Sequence, residues 1–216
     1  FNCEKRGGLV SHRRLSSGED KPYELNISWW SAMEDGGRDP SLWQLERFLL
    51  SQLFCICLKG IPALYLQAIL ASKNDHRTFS LSGQRRDLNR ERFQADSLFL
   101  KLDDPNSIQS RIIKELESVI QTRKKLKCFH PDSPMKCLSR GRSDLVIIRR
   151  GTESEYLIAV HNMTNTKQSL SLLDDIFISQ INSSNIWQDC LNNKSINDNS
   201  IILKPYSVKW LMRSTS

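Results

Sequence analysis

The sequence contains few of the residue patterns that build metal or membrane sites. It has four histidines, and its six cysteines form no CxxC pair and have no histidine at zinc-ligand spacing. No apolar run is long enough to span a bilayer, and the first residues lack the basic-then-apolar pattern of a signal peptide. Cys55 and Cys57 lie within an apolar run, which favours buried thiols in a reducing compartment. We therefore expect no metal ion, no membrane partner and a cytoplasmic location.

The charge of the chain is basic but dispersed. Lys and Arg number 31 against 24 acidic residues, which gives a formal net charge of +7. The basic residues form only short clusters, for example at residues 123–127, and no zinc-finger spacing, aromatic RNA-binding motif or long basic stripe accompanies them. Clusters of this kind are typical of solvated faces. We predict no nucleic-acid partner, while the charge leaves phosphate binding open.

The first part of the sequence has the pattern of an α/β fold. Apolar residues recur at helical spacing from Asp39-Pro40-Ser41 to Lys59-Gly60, and again from Asp104-Pro105 to Leu126. Residues 61–66 form a short apolar run that predicts a buried parallel strand directly after the first helix. Residues 1–40 are polar except at residues 25–30 and predict long loops around a short extended segment, and residues 71–100 predict a further polar loop. Long ordered loops tend to carry function.

The character of the sequence changes past residue 130. Three short β-rich runs, at residues 144–149, 156–161 and 200–205, are separated by turn residues. We therefore predict two domains: residues 1–130 form the last portion of an α/β domain, and residues 131–216 form a small all-β domain.

Three stretches taken together resemble the sucrose phosphorylase branch of the α-amylase superfamily, which includes glucosylglycerate phosphorylases. They are YELNISWWSA at residues 23–32, GIPALY leading to LASKND at residues 60–75, and RDLNR at residues 86–90. The order of these stretches makes the combination specific. Residues 204–211 also look like the closing strand of the C-terminal β-domain in such enzymes. The resemblance implies the C-terminal part of a (β/α)8 barrel followed by a small antiparallel β-domain.

The resemblance also implies a reaction. Enzymes of this branch transfer α-glucosyl with retention from sucrose, or from a related glucoside such as glucosylglycerate, to inorganic phosphate, and they form α-glucose 1-phosphate without metal or organic cofactor. Their catalytic carboxylates lie on earlier barrel strands, and none of those motifs occurs here. We therefore expect a fragment that contains no catalytic residue and is inactive on its own.

The residues that the resemblance assigns to substrate binding lie in the two polar loops. Arg86 matches the arginine that binds a glucose hydroxyl, while Tyr23 and Glu24 match a mobile loop at the rim of the pocket. Glu24 replaces a common glutamine, and a carboxylate there disfavours an anionic acceptor unless an arginine lies beside it. Trp29 or Trp30 could stack on a sugar, with one of the two packing into the barrel wall.

Several alternatives stay open at this point. Asn89 is expected to hold its loop by hydrogen bonds, and His76, His130 and His161 are expected to be structural. The chain could instead come from a hydrolase or transglucosidase of the same superfamily. It could also be a non-catalytic truncated product or a carbohydrate-binding remnant. A homodimer is possible for the full-length enzyme.

Overall fold

A computed structural model describes residues 2–35, 40–139, 141–173 and 186–213. The chain divides into two compact units. Unit 1 comprises Phe1–Phe48 and Ala63–Glu115, and unit 2 comprises Leu49–Pro62 and Leu116–Ser216. The boundary near residue 130 that the sequence suggests between a barrel portion and a β-domain stays a prediction.

The helices are α1 (Asn2–Lys5), α2 (Trp29–Ala32), α3 (Gln44–Cys57), α4 (Leu66–Ile69), α5 (His76–Ser82), α6 (Ala95–Asp103) and α7 (Ile108–Lys125), with 3-10 turns at Arg85–Asn89 and Lys127–Phe129. The strands are β1 (Leu9–Arg14), β2 (Asp20–Asn26), β3 (Met135–Cys137), β4 (Leu145–Gly151), β5 (Tyr156–Asn162), β6 (Gln168–Ser171), β7 (Trp187–Asp189), β8 (Lys194–Ile196), β9 (Ser200–Leu203) and β10 (Val208–Arg213). No helix in these described ranges is long and apolar enough to cross a bilayer.

The two long helices that the apolar pattern predicts are present. α3 begins at Gln44 and ends at Cys57, shortly before Gly60, whose φ of 104° a residue with a Cβ rarely adopts. α7 begins at Ile108, where the Ser107 hydroxyl accepts a hydrogen bond from the Ser110 amide at 3.0 Å. The predicted start at Asp39 lies outside the described residues.

The loop predicted over residues 71–100 is wrong in part. It contains α5, the 3-10 turn Arg85–Asn89 and α6. Asp75 caps α5, because its carboxylate accepts from the Thr78 amide at 2.8 Å and from the Thr78 hydroxyl at 2.6 Å. These bonds lower the pKa of Asp75. Gly83 ends α5 in the left-handed region, so a short helix capped at both ends occupies residues whose composition is that of a loop.

The strand predicted over residues 61–66 is also wrong. Residues 61–65 take no regular structure, and α4 begins at Leu66. Ile61 and Leu66 are 84% and 63% exposed, so this apolar run is not buried. A parallel strand needs hydrogen-bonded neighbours, and within the described residues every paired strand belongs to an antiparallel ladder.

Unit 2 is built on antiparallel sheets, as the three β-rich runs predict. Six strands form a sheet in the order β3-β4-β5-β10-β7-β8, and β6 pairs with β9 in a second sheet. The strand expected to close the domain, β10, lies between β5 and β7, with Trp210 opposite Ala159. Apolar side chains from both sheets form one buried cluster: Leu145, Ile147, Ile158, Val160, Leu170, Leu172, Trp187, Ile201, Leu203 and Leu211.

Buried polar side chains of unit 2 are held by backbone groups. Arg150 is fully buried and donates to the carbonyls of Cys57 at 2.8 Å and His130 at 3.2 Å, and also to that of Leu58. Burial raises the pKa of the Cys57 thiol to about 12. All six cysteines are free thiols, and Cys57 is buried as expected whereas Cys55 is only partly buried.

Candidate functional site

The hairpin β1–β2 of unit 1 carries two of the three predicted site residues. Its register pairs Ser11 with Glu24 and His12 with Pro22, so Tyr23 is the extra residue of a β-bulge. A bulge twists the strand and changes the direction of the side chain at that point, and bulges are common beside active sites. Tyr23 is accordingly 65% exposed, with the Arg13 guanidinium 6.0 Å from the centre of its ring.

The third predicted site residue, Arg86, lies on the 3-10 turn Arg85–Asn89. Leu88 anchors this turn, because its side chain is fully buried and its carbonyl accepts from the Asp75 amide at 2.7 Å. The neighbouring Arg85 donates to the Val10 carbonyl at 3.1 Å and to the Ser11 hydroxyl at 3.2 Å. These bonds hold the turn against strand β1 of the hairpin.

The structure brings Arg86 and Glu24 together. Arg86 Nε lies 3.4 Å from Glu24 Oε1, with the guanidinium largely exposed and the carboxylate half-buried. An ion pair of this exposure contributes less than about 1 kcal/mol to stability. The pair is nevertheless suited to binding a sugar, because a guanidinium and a carboxylate side by side offer both hydrogen-bond donors and acceptors to sugar hydroxyls.

The tryptophan pair divides as expected, with one ring packed and one at a cavity. Trp30 is buried, and its ring centre lies 5.7 Å from that of Phe48. Trp29 is partly exposed and, with Tyr65 and Asn89, lines a cavity of about 380 Å³. The Asn89 Oδ1 atom is buried without a hydrogen-bond partner among the described residues. That oxygen therefore does not hold the loop, which differs from the expectation for Asn89.

Sequence reasoning assigned no role to Asn74, which holds this part of unit 1 together. Its Nδ2 donates to the Arg6 carbonyl at 3.0 Å, and its Oδ1 accepts from the Ser28 amide at 2.8 Å. Its main-chain amide donates to the Ser31 hydroxyl at 3.1 Å. The only signal in the sequence was the LASKND motif itself, which contains Asn74 but does not say what it bonds.

The three histidines expected to be structural lie in different surroundings. His161 is fully buried in unit 2, and burial lowers its pKa to about 4. His130 is exposed and lies 3.9 Å from the Asp132 carboxylate. His76 lines a polar cleft of unit 1. No group of three potential metal ligands occurs within the described ranges.

Comparison with known proteins finds similarity to glycoside phosphorylases. No family model matches the chain. It is 26% identical over 209 residues to glucosylglycerate phosphorylase of Escherichia coli K12, covering 96% of this chain and 35% of that protein. It is 21% identical over 135 residues to sucrose phosphorylase of Streptococcus mutans, covering 62% of this chain and 25% of that protein. The chain thus spans about a third or less of the length of these relatives.

A solved structure with a similar fold is an α-amylase from Anoxybacillus. It matches with a TM-score of 0.53 at 16% identity, over 80% of this chain and 34% of that one. The resemblance to the C-terminal part of the sucrose and glucosylglycerate phosphorylase branch is therefore confirmed, and so is the fold class of a C-terminal barrel part with an antiparallel β-domain.

Proposed function

We propose that this chain contributes the sugar-binding rim of a glycoside phosphorylase. The reaction is the reversible, retaining transfer of α-glucosyl from glucosylglycerate, sucrose or a related α-glucoside to inorganic phosphate, with α-glucose 1-phosphate as the product. The observation that carries the proposal is the pairing of Arg86 with Glu24 beside the bulged Tyr23. These residues lie in a chain whose relatives are named as phosphorylases.

Each of the three residues has a role in this proposal. Arg86 donates hydrogen bonds to glucosyl hydroxyls, and Glu24 accepts from a hydroxyl of the sugar or of the acceptor. Tyr23 covers the sugar with its exposed ring. Because Arg86 lies 3.4 Å from Glu24, the guanidinium offsets the carboxylate, which makes an acidic glucoside such as glucosylglycerate acceptable at this rim.

The chemical step itself is assigned to carboxylates outside residues 1–216. A retaining transfer needs a nucleophile and an acid/base, and the motifs that hold them in this branch do not occur in the sequence. We propose that residues 1–216 alone show no turnover, and a purified peptide of these residues that forms glucose 1-phosphate would refute this. We also propose a cytoplasmic location, which the six free thiols fit. For the full-length enzyme we propose a homodimer, and light scattering would test this.

The test is an assay of the protein as its gene encodes it, with glucosylglycerate or sucrose and inorganic phosphate. We expect glucose 1-phosphate to form. Release of glucose alone, whether or not phosphate is present, would instead show a hydrolase of the same superfamily. Absence of turnover of every α-glucoside tried would favour a non-catalytic product.

Two variants connect the activity to the proposed rim. Arg86→Lys keeps the charge but loses the fork of donors, and we expect kcat/KM for the glucoside to fall by about 10- to 100-fold. Glu24→Gln keeps the shape of the side chain but removes its charge. We expect kcat/KM to fall less than in Arg86→Lys, and we expect the variant to discriminate less between acidic and neutral glucosides. Arg77→Lys, on the exposed face of α5, is the matched control and should leave kcat/KM unchanged.

A carbohydrate-binding role without catalysis is the second candidate. The cavity beside Trp29 and Tyr65 favours it, because a pair of accessible aromatic rings with amide groups suits a sugar ring. Saturable binding of glucosides by a protein that does not turn them over, abolished in Trp29→Ala, would support this candidate over the phosphorylase.

A further inference from the structure

Asn74 joins three segments of unit 1 through its side chain and its main-chain amide. The side-chain Oδ1 accepts from the Ser28 amide at 2.8 Å, and Nδ2 donates to the Arg6 carbonyl at 3.0 Å. The main-chain amide donates to the Ser31 hydroxyl at 3.1 Å. The orientation of the carboxamide follows from these partners, because the oxygen faces an N–H group and the nitrogen faces a carbonyl. A side chain that lacks either group cannot form both bonds.

The Oδ1 bond of Asn74 fixes the chain just after the strand that carries Glu24. Strand β2 ends at Asn26, and Ser28, four positions beyond Glu24, is buried. The Asn26 side chain also donates to the Ser11 hydroxyl of β1 at 3.0 Å. The bond to Asn74 therefore holds the C-terminal end of β2 in place beyond the last pair of the hairpin.

The residues on either side of this asparagine fix the turn that carries Arg86. The Asp75 amide donates to the carbonyl of Leu88, a fully buried residue of the turn, at 2.7 Å. The Lys73 amide donates to the Glu91 carboxylate, just beyond the turn, at 2.7 Å. Three consecutive residues, 73–75, thus bond to the end of β2, to the first residues of α2 and to the turn.

We propose that Asn74 is a positioning residue that sets the spacing of Arg86 and Glu24. The two side chains lie 3.4 Å apart, although more than sixty residues separate them in the chain. Because the guanidinium is largely exposed, the attraction between the two charges is weak and does not by itself fix their spacing. Asn74 and its neighbours supply that constraint, because they bond to the segments of both partners. A part for Asn74 in glucosyl transfer rests on the proposed phosphorylase function, whereas the positioning itself does not.

The first test is steady-state kinetics of the protein, as its gene encodes it, with glucosylglycerate or sucrose and inorganic phosphate. In Asn74→Ala the spacing of the pair is no longer fixed, and we expect kcat/KM for the glucoside to fall about tenfold. Because Asn74 acts through the pair, adding Asn74→Ala to Arg86→Lys should lower kcat/KM only about twofold further. A double variant in which the two single effects multiply in full would overturn the proposal.

Asn162→Ala is the matched control. Asn162 is a fully buried asparagine of unit 2, and its side chain donates to the carbonyls of Thr166 at 2.7 Å and Lys204 at 2.8 Å. This variant should destabilise unit 2 and leave kcat/KM of the folded protein unchanged. An equal fall of kcat/KM in Asn162→Ala and Asn74→Ala would show that lost stability explains the effect, and would contradict positioning. Asn74→Asp keeps the acceptor and loses the donor, so its kcat/KM should lie between those of the wild type and Asn74→Ala, and it replaces the alanine variant if that does not fold.

Amide hydrogen exchange without substrate gives a readout that needs no activity. In Asn74→Ala we expect faster exchange than in the wild type over residues 24–28 and 85–91, whereas Asn162→Ala should speed exchange only in unit 2. Unchanged exchange of both segments in Asn74→Ala would refute the positioning role. If exchange of both segments is faster in Asn74→Ala but the wild type forms no glucose 1-phosphate, the positioning role is supported and only the phosphorylase function is refuted.

Discussion

The two units differ in how they use apolar side chains. Unit 2 packs apolar side chains from both of its sheets into one buried cluster, although it leaves Ile61 and Ile202 exposed. Unit 1 buries Trp30, Phe48 and Leu88 and leaves Leu66 and Phe99 largely exposed. In unit 1 the site is held mainly by polar bonds, from Asn74 and Arg85 to neighbouring segments. We therefore expect substitutions in the buried cluster of unit 2 to cost more stability than substitutions at the candidate site of unit 1.

The largest effect is expected from the core of unit 2. Trp210 is fully buried with its ring centre 4.6 Å from that of Phe129, so Trp210→Ala should lower the free energy of unfolding of unit 2 by about 3–5 kcal/mol. Phe99→Ala in unit 1 is the matched control, since Phe99 is exposed, and should cost less than about 0.5 kcal/mol. Amide hydrogen exchange, which reports each unit separately, would measure both. Similar losses of stability in the two variants would contradict the proposed difference between the units.

A pH effect of somewhat smaller size is expected at His161. Its buried ring bonds the Val146 carbonyl at 3.2 Å through Nδ1, and burial lowers its folded pKa to about 4 from the usual 6.5. The unfolded chain therefore takes up a proton here between pH 6.5 and pH 4 while the folded chain does not. Stability contributed by the neutral ring is present above pH 6.5 and is lost as the pH falls, by up to about 3 kcal/mol at pH 4.

Denaturant unfolding of wild type and His161→Phe over that pH range tests this. Phenylalanine keeps a ring against Phe54, whose centre lies 5.5 Å from that of His161, but has no group that titrates. The wild type should lose more stability than the variant on acidification. If the free energy of unfolding fell equally with pH in the wild type and the variant, His161 would not set the pH dependence of the stability of unit 2.

A variant of Arg150 tests whether the stability of unit 2 depends on its buried polar contacts as well as on its apolar core. Arg150→Met removes the donor to the carbonyls of Cys57, Leu58 and His130, and should cost about 2 kcal/mol because buried acceptors lose their partner. Lys136→Met, at an exposed side chain of the same sheet, should change stability by less than about 0.5 kcal/mol. Thermal unfolding of both variants measures the difference. Equal melting temperatures would contradict the structural role of Arg150.

The smallest stability effect is expected at the proposed sugar rim. Arg86 and Glu24 form an exposed pair, so a double-mutant cycle with Arg86→Met and Glu24→Gln should give a coupling energy below about 1 kcal/mol. The same variants should affect glucoside turnover far more. A coupling energy of several kcal/mol would show that the pair stabilises the fold of unit 1. The expected difference in stability effects between the two units would then be wrong.

The sequence predicted those elements whose signal is local. The apolar spacing of α3 and α7 and the short apolar runs of β4, β5 and β9 were sufficient, because each of these signals lies within the element itself. The apolar run at residues 61–66 failed as a strand, since strand formation depends on hydrogen-bonded neighbours that composition does not reveal. α5 was missed because its sequence is as polar as a loop. α6 contains four large apolar residues but buries none of its side chains, and Gln94 before it is not a usual capping residue.

For the candidate site, the sequence by itself determined which residues to consider. The motifs around Tyr23, Glu24 and Arg86 and the basic balance of the chain are properties of the sequence, and so is the lack of the branch's catalytic carboxylate motifs. Only the tertiary structure decided that Tyr23 sits on a bulge and that Glu24 lies beside Arg86, more than sixty residues away. The reason is physical: strand register and the packing of the 3-10 turn against the hairpin arise from contacts between distant segments.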